Sequence, residues 1–406
     1  MGIFDYTPSI SFQEYEPSIR LFDEEEELPI HIKHKRRGSD YSVRLGYKIS
    51  PKRFWTQPYY YNPRRRGVEE GKVVLVVAGK GIGKTNTLRN FVQAHYRTTR
   101  DDSIVVFQEK RGDLDFLRHP SPERLVEMNV EPVRLRSNGK PVQRYLVPGR
   151  NFKIPLQELE YSALMAYIGK KMGQSIADRI IERAWRDVRS RRDIRRFRIK
   201  LNEILQNYEE DPYFRTMQAS VERFCELLEY DSLIETERDN TFLDYIDREI
   251  INIIDLSDIG DYEIKQFIVS QVLTMMERHF KRTRSFIGIT EAHTYCPEEG
   301  MNPAKQAIIR AVTVLARSYG WTVFLETQSP HSMEKVVIEN VDEVFILGYI
   351  PDSKLNKLLK TLSVNLYDLV SFYYLADDIG KGEGIYGNVL EPTRPYIIKI
   401  GLSPVG

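Results

Sequence analysis

Val73-Val74-Leu75-Val76-Val77-Ala78-Gly79-Lys80-Gly81-Ile82-Gly83-Lys84-Thr85 begins as an unbroken apolar run and turns abruptly into glycines interleaved with cations. A short apolar run rich in β-branched residues and bounded by glycines suits a strand buried on both faces of a parallel sheet. Residues 86–98 then carry helical spacing. Strand, glycine-rich loop and helix in this order match the phosphate-loop pattern, with Ala78 in place of its first glycine. The glycines let backbone N–H groups curl around phosphates, and the helix N-terminus adds partial positive charge. Lys84 is expected to reach the β- and γ-phosphates of ATP, and Thr85 Oγ1 to ligate Mg²⁺. Gly79, Lys80, Gly81, Ile82, Gly83, Lys84, Thr85 and Asn86 together form the candidate nucleotide site. A tight turn with a chance Lys-Thr pair would not need the strand before it and the helix after it.

A second buried strand follows, Ile104-Val105-Val106-Phe107. This β–α–β opening argues for a doubly wound α/β domain. Farther on, Leu164, Ile168, Met172, Ile176 and Ile180 recur every four residues, an apolar stripe on a helix, and helical spacing returns at 199–205 and 221–228. Apolar strands resume at 251–256, 286–289, 322–325 and 344–347, with helical stretches at 262–278 and 305–317 between the first three. The expected division is an N-terminal hairpin or arm (1–66), a first part of the core (67–151), a helical insertion (152–247) and a second part of the core (248–406). Within the first of these, Leu28, Ile30 and Ile32 alternate, as do Val43, Leu45, Tyr47 and Ile49, which predicts a hairpin across 33–40. Residues 55–66 mix aromatics and arginines with Pro58 and Pro63 and read as a linker or docking arm.

Hydrolysis needs an acidic group at the end of another strand. Phe286-Ile287-Gly288-Ile289-Thr290-Glu291 places Glu291 at the carboxyl edge of the sheet, where such folds bind ligands, as a general base or positioner of water. Thr290 stands where an acid usually precedes this glutamate, and a threonine cannot supply the charge. Gln328 ends the strand of Phe324 and Leu325 and is a candidate sensor of the γ-phosphate. Glu109 ends the second strand and is expected beside the phosphate loop, because consecutive parallel strands often neighbour each other. An ordinary polar residue at a strand end is the competing reading for each.

These motifs, in this order, resemble HerA-type ATPases of the HerA/FtsK group. Gly83-Lys84-Thr85-Asn86-Thr87 is similar to the family's phosphate loop, Glu291-Ala292-His293 to its Glu-Ala-His, and Thr327-Gln328-Ser329-Pro330 to its Ser-Gln-Arg-Pro with the arginine replaced. Glu109-Lys110-Arg111-Gly112-Asp113 sits where the family has Asp-x-His-Gly-acid, with Glu109 and Arg111 as departures. The resemblance spans about residues 67–402. It implies an α/β, RecA-like P-loop NTPase with a mostly parallel sheet, assembled as a homo-hexamer that hydrolyses ATP to move or grip duplex DNA regardless of sequence. It also implies an arginine supplied to the neighbouring subunit's site, for which Arg317, ahead of the Gln328 strand, is best placed. The family's N-terminal barrel has no full counterpart in the residues before 67, which favours a viral or plasmid packaging or transfer role over docking of the family's nuclease partner. An ATP-switched DNA-binding scaffold with weak hydrolysis is the alternative that Thr290 keeps open.

Composition narrows the partners. With 59 Lys and Arg against 58 Asp and Glu, no global basic field advertises nucleic acid, so DNA contact must come from local clusters. One cluster is Arg179, Arg183, Arg186, Arg189, Arg191, Arg192, Arg195, Arg196 and Arg198, diluted by Glu182, Asp187 and Asp193. It reads either as solvated helices with i,i+4 ion pairs or as a phosphate-contacting rim. Two cysteines, Cys225 and Cys296, exclude a disulfide framework, and no second ligand pair completes a metal site with His293 and Cys296. No apolar run approaches the ~18 residues of a bilayer span, and Met1 to Tyr6 lack a signal-peptide pattern, so a cytoplasmic location is expected. No Asn-Lys-x-Asp motif reads guanine, since Asn356-Lys357 is followed by two leucines.

Overall fold

The computed structural model describes residues 43–49, 56–61, 71–98, 102–112, 114–116, 141–172, 177–188, 194–236, 240–348, 351–362, 375, 379, 383–389 and 395–401. The first arm of the expected hairpin, 28–32, lies outside them. In chain order the elements are β1 (Val43–Ile49), β2 (Thr56–Tyr61), β3 (Val73–Ala78), α1 (Lys84–Thr98), β4 (Ser103–Gln108), β5 (Gln143–Leu146) and β6 (Ile154–Pro155). There follow α2 (Tyr161–Met172), α3 (Asp178–Asp187), α4 (Ile194–Gln206), α5 (Phe214–Glu229) and β7 (Ile234–Glu235). The chain continues through β8 (Ile251–Asp255), α6 (Tyr262–Phe280), β9 (Ser285–Ile289), α7 (Pro303–Arg310), β10 (Trp321–Thr327), β11 (Glu343–Leu347), β12 (Gly384–Asn388) and β13 (Tyr396–Ile400).

Eleven strands form one sheet, ordered β2-β1-β13-β12-β11-β3-β10-β9-β4-β8-β5. From β11 to β5 every pairing is parallel, and from β11 to β2 every pairing is antiparallel. This is the mostly parallel α/β architecture of P-loop ATPases. The apolar run of β3 is buried along its whole length. Its odd-numbered residues Val73, Leu75 and Val77 join the core on the side of α2 to α7, while Val74, Val76 and Ala78 pack on the other side with Leu88, Phe91 and Val92 of α1. Full burial of each such side chain contributes about 1.5–3 kcal/mol, which is why a run without polar alternation becomes a central strand.

Three expectations change. Residues 55–66 hold a strand, β2, where a linker was expected, because the aromatic alternation of Tyr59 and Tyr61 buries both rings. β1 pairs with β2 and with β13, so the N-terminal strands extend the main sheet. β3 and β4 are not neighbours, since β10 and β9 lie between them. The chain leaves β4 for the far side of the sheet and returns twice to fill the gap, a crossover that local spacing does not encode.

In 152–247, helices α2 to α5 pack through the residues that the four-residue spacing selected, among them Leu164, Ile168 and Ile180. The two-stranded pairing of Ile154 with Ile234 draws the ends of this segment together. Glu158, buried beside it, accepts from Phe242 N at 2.6 Å and lies 2.6 Å from His279 Nε2 of α6. The helix predicted over 305–317 is interrupted by a π-helical turn, Ala311–Leu315, before a last turn at Ala316–Tyr319.

Candidate active site

The carboxyl ends of β3, β10, β9 and β4 open into one cleft of about 210 Å³. Lys80, Gly81, Gly83, Lys84 and Thr85 line it from the loop, and Gln108, Glu109, Lys110, Thr290, Glu291 and Glu326 from the strand ends. The loop keeps its shape through backbone freedom. Gly81 and Gly83 hold φ of 78° and 103°, where a side chain is strained although space is open around both. Ala78, by contrast, still belongs to β3 and pairs with Leu347, so the first motif position needs no glycine here. Gly348, just past β11, lets the loop approach, since a Cβ there would meet Ile82 Cγ2 at 2.7 Å.

Lys84 opens α1 and is buried. Its Nζ donates to the carbonyls of Ala78 and Gly79, both at 3.3 Å, and lies 3.9 Å from Oε1 of Glu326. The side chain of Asn86, placed by sequence among the nucleotide contacts, donates to Gly401 O at 2.9 Å, as Asn90 does at 2.8 Å. These amides fasten α1 to the end of β13.

Glu291 follows β9 with φ 49° and ψ 44°, and is the one non-glycine residue of positive φ among the described residues. That conformation costs about 1–2 kcal/mol for an L-residue, and such strain concentrates at functional sites. The helical turn after it is secured by Thr294, whose N and Oγ1 donate to Glu291 O at 3.0 and 2.9 Å. The Glu291 side chain accepts from Gln328 Nε2 at 2.5 Å through Oε1, while Oε2 is buried 3.7 Å from His293 Nδ1. Burial holds the His293 imidazole below its ordinary value, against the opposite pull of Glu291 and with a further push from Lys84 and His331.

Thr290 and Glu109 have structural partners. Thr290 Oγ1 donates to Phe107 O and accepts from Glu109 N, each at 3.1 Å, locking the end of β9 to β4. Glu109 reaches the cleft from β4 although two strands separate it from β3, and its carboxylate is held by Lys265 Nζ and the Tyr295 hydroxyl. Burial and that carboxylate push the Tyr295 phenol far up, so it stays a donor.

Lys84, Thr85, Glu291 and Gln328 are thus brought together, and Arg317 is not. Arg317 is exposed in the turn before β10, ahead of the strand's amino end, whereas the phosphate loop follows the carboxyl end of β3. It stands at the opposite edge of the sheet, where its charge bears on Asp342, a carboxyl raised by burial and lowered by the Val73 N–H and Arg317. Glu326 was passed over in the sequence reading. Its only signal there was an acidic residue inside an apolar strand, which is anomalous for a buried position.

A parallel sheet carrying a glycine-rich phosphate loop at its carboxyl edge, faced by a strand-end glutamate and glutamine, defines the P-loop ATPases of the HerA/FtsK type. The chain belongs to the helicase HerA central-domain family, whose model matches residues 72–276. Among solved structures it is similar to VirB4 of Thermoanaerobacter pseudethanolicus, at 14% identity and a TM-score of 0.55, with 90% of this chain and 97% of that one covered. The DNA-packaging ATPase B204 of Sulfolobus turreted icosahedral virus aligns at 10% identity and a TM-score of 0.39, over 82% of this chain and 98% of that one. No curated protein matches the sequence. Among the described residues no helix is long and apolar enough to cross a membrane.

Proposed function

We propose that this chain is an ATP-driven motor that assembles as a ring, in the reading a homo-hexamer, and translocates or grips duplex DNA without reading its sequence. The observation that carries it is the convergence of Lys84, Thr85 and Glu291 on one cleft, with Gln328 hydrogen-bonded to Glu291, in a HerA-family fold. In this reading the N–H groups of 79–85 cradle the phosphates of ATP, and Lys84 Nζ leaves the Ala78 and Gly79 carbonyls to meet the β- and γ-phosphates. Glu291 accepts the proton of the attacking water, and Gln328 orients that carboxylate or senses the γ-phosphate.

The donors in the cleft are hydroxyl and carboxylate oxygens, which suit Mg²⁺. Among the described residues no group of three or more His, Cys, Asp or Glu could cage a metal alone. Thr85 Oγ1 and phosphate oxygens would therefore hold Mg²⁺ with part of its water shell, and the ion would neutralise charge on the transferring phosphoryl group.

Residues 152–247 are proposed as a helical unit inserted between two parts of the core, 67–151 and 248–406, with 1–66 as an N-terminal hairpin or arm whose strands β1 and β2 extend the main sheet. The pairing of Ile154 with Ile234 supports this by closing the segment at its base. Arg179, Arg183, Arg186, Arg195 and Arg196 are exposed on α3 and α4, while Arg186 pairs with Glu182 and Arg198 with Glu229. Some of the cluster is thus bound in surface ion pairs, and Arg189, Arg191 and Arg192 lie outside the described residues.

A packaging or conjugative-transfer role is the second reading, compatible with the fold that this chain shares with VirB4 across nearly the whole of both chains. Native mass measurement with a non-hydrolysable ATP analogue and duplex DNA tests the proposal. A ring that retains DNA supports it, and a nucleotide-bound monomer without DNA affinity overturns it.

A further inference from the structure

The pattern expects an acid immediately before Glu291, and Thr290 stands there with its hydroxyl committed to Phe107 O and Glu109 N. The register of the sheet shows where a charge lies instead. Leu325 of β10 pairs with Ile289 of β9, so one residue farther along Glu326 stands beside Thr290. Side chains alternate along a strand, and Phe324 packs on Phe91 of α1 at 5.1 Å. Glu326 therefore faces the same side of the sheet as α1 and the phosphate loop. Its Oε1 is 3.9 Å from Lys84 Nζ, with side-chain exposures of 5% and 7%, and it lines the cleft together with Thr85 and Glu291.

We propose that Glu326 supplies the carboxylate that holds the hydrated divalent cation, replacing the acid that β9 lacks from a strand one step nearer the phosphate loop. This rests on the nucleotide-site reading above. A buried carboxylate is costly without a partner, and Lys84 is one charge beside it in the resting cleft. When Lys84 turns to the phosphates, Glu326 remains in the cleft that Thr85 also lines, where a cation bound to those phosphates belongs. Mg²⁺ favours such an arrangement, keeping several waters and taking one or two carboxylates.

The test is Mn²⁺ binding to the full chain in the presence of AMPPNP, followed by electron paramagnetic resonance, beside metal-free AMPPNP binding. Glu326→Gln is expected to weaken Mn²⁺ affinity about 10- to 100-fold while metal-free AMPPNP still binds. Adding Thr290→Asp to Glu326→Gln should recover Mn²⁺ affinity by returning the charge to β9. Parental Mn²⁺ affinity in Glu326→Gln would make Glu326 only a resting counter-ion of Lys84 and overturn the proposal. If Glu326→Gln does not fold, Glu326→Asp withdraws the carboxylate by one methylene, and undiminished Mn²⁺ affinity there overturns it equally. A parent chain that binds no AMPPNP defeats the nucleotide-site reading itself, and this proposal with it.

Discussion

Gln328 Nε2 donates to Glu291 Oε1 at 2.5 Å, joining the ends of two adjacent strands across the mouth of the cleft. The strained backbone of Glu291 and this amide together fix where its carboxylate points. Gln328→Ala should leave ATP binding near the parent value and lower kcat by roughly 10- to 100-fold, because the base is present but misplaced. Steady-state kinetics with separate binding titrations check this, and a change confined to KM would assign Gln328 to substrate binding alone.

Glu291→Gln keeps the shape and the contact to Gln328 while losing basicity. ATP should bind and single-turnover hydrolysis should fall by ~10²-fold or more. Loss of nucleotide binding instead would make Glu291 a structural residue.

Lys84→Ala removes the ammonium that balances phosphate charge in the transition state, and hydrolysis should vanish. Turnover within a few-fold of the parent would remove the loop from the mechanism.

Arg317 lies at the sheet edge opposite its own phosphate loop. Any part in hydrolysis must therefore cross a subunit boundary. Arg317→Ala and Lys84→Ala subunits should each be inactive alone, and mixed rings should regain hydrolysis where an intact loop meets an intact Arg317. Mixed rings that form without recovery count against the arginine.

The buried imidazole of His95 gives a pH prediction. Its Nε2 lies 2.8 Å from the Tyr61 hydroxyl, and burial lowers its pKa from 6.5, with Asp102 pulling the other way less strongly. The unfolded chain takes up a proton that the folded chain resists, so this stability is full above pH 6.5 and is lost as pH falls toward the folded value. Melting temperature should drop on acidification from pH 7.5 to 5.5, and drop less steeply in His95→Gln. Equal slopes would remove His95 from the acid response.

The central strands and the loop were legible because burial on both faces leaves no polar alternation, and because only glycine accepts the backbone at Gly81 and Gly83. Glu291 and Gln328 were legible as polar residues ending apolar runs. β2 was hidden by Pro58 within it and by the proline and arginines at 63–66 that follow it. Glu326 and the distance between β3 and β4 were hidden for one shared reason. Both depend on the strand order β3-β10-β9-β4, a long-range crossover that carries no local pattern. The contact of the Asn86 amide with Gly401 O, 315 residues away, was hidden because a motif position specifies spacing and not distant partners.

The central claim, a DNA-coupled ATPase, is tested most directly by the rate of ATP hydrolysis by the full chain with and without duplex DNA of unrelated sequences. The account predicts stimulation by every duplex, absent in Glu291→Gln. Hydrolysis at the same rate whether or not DNA is present would contradict it.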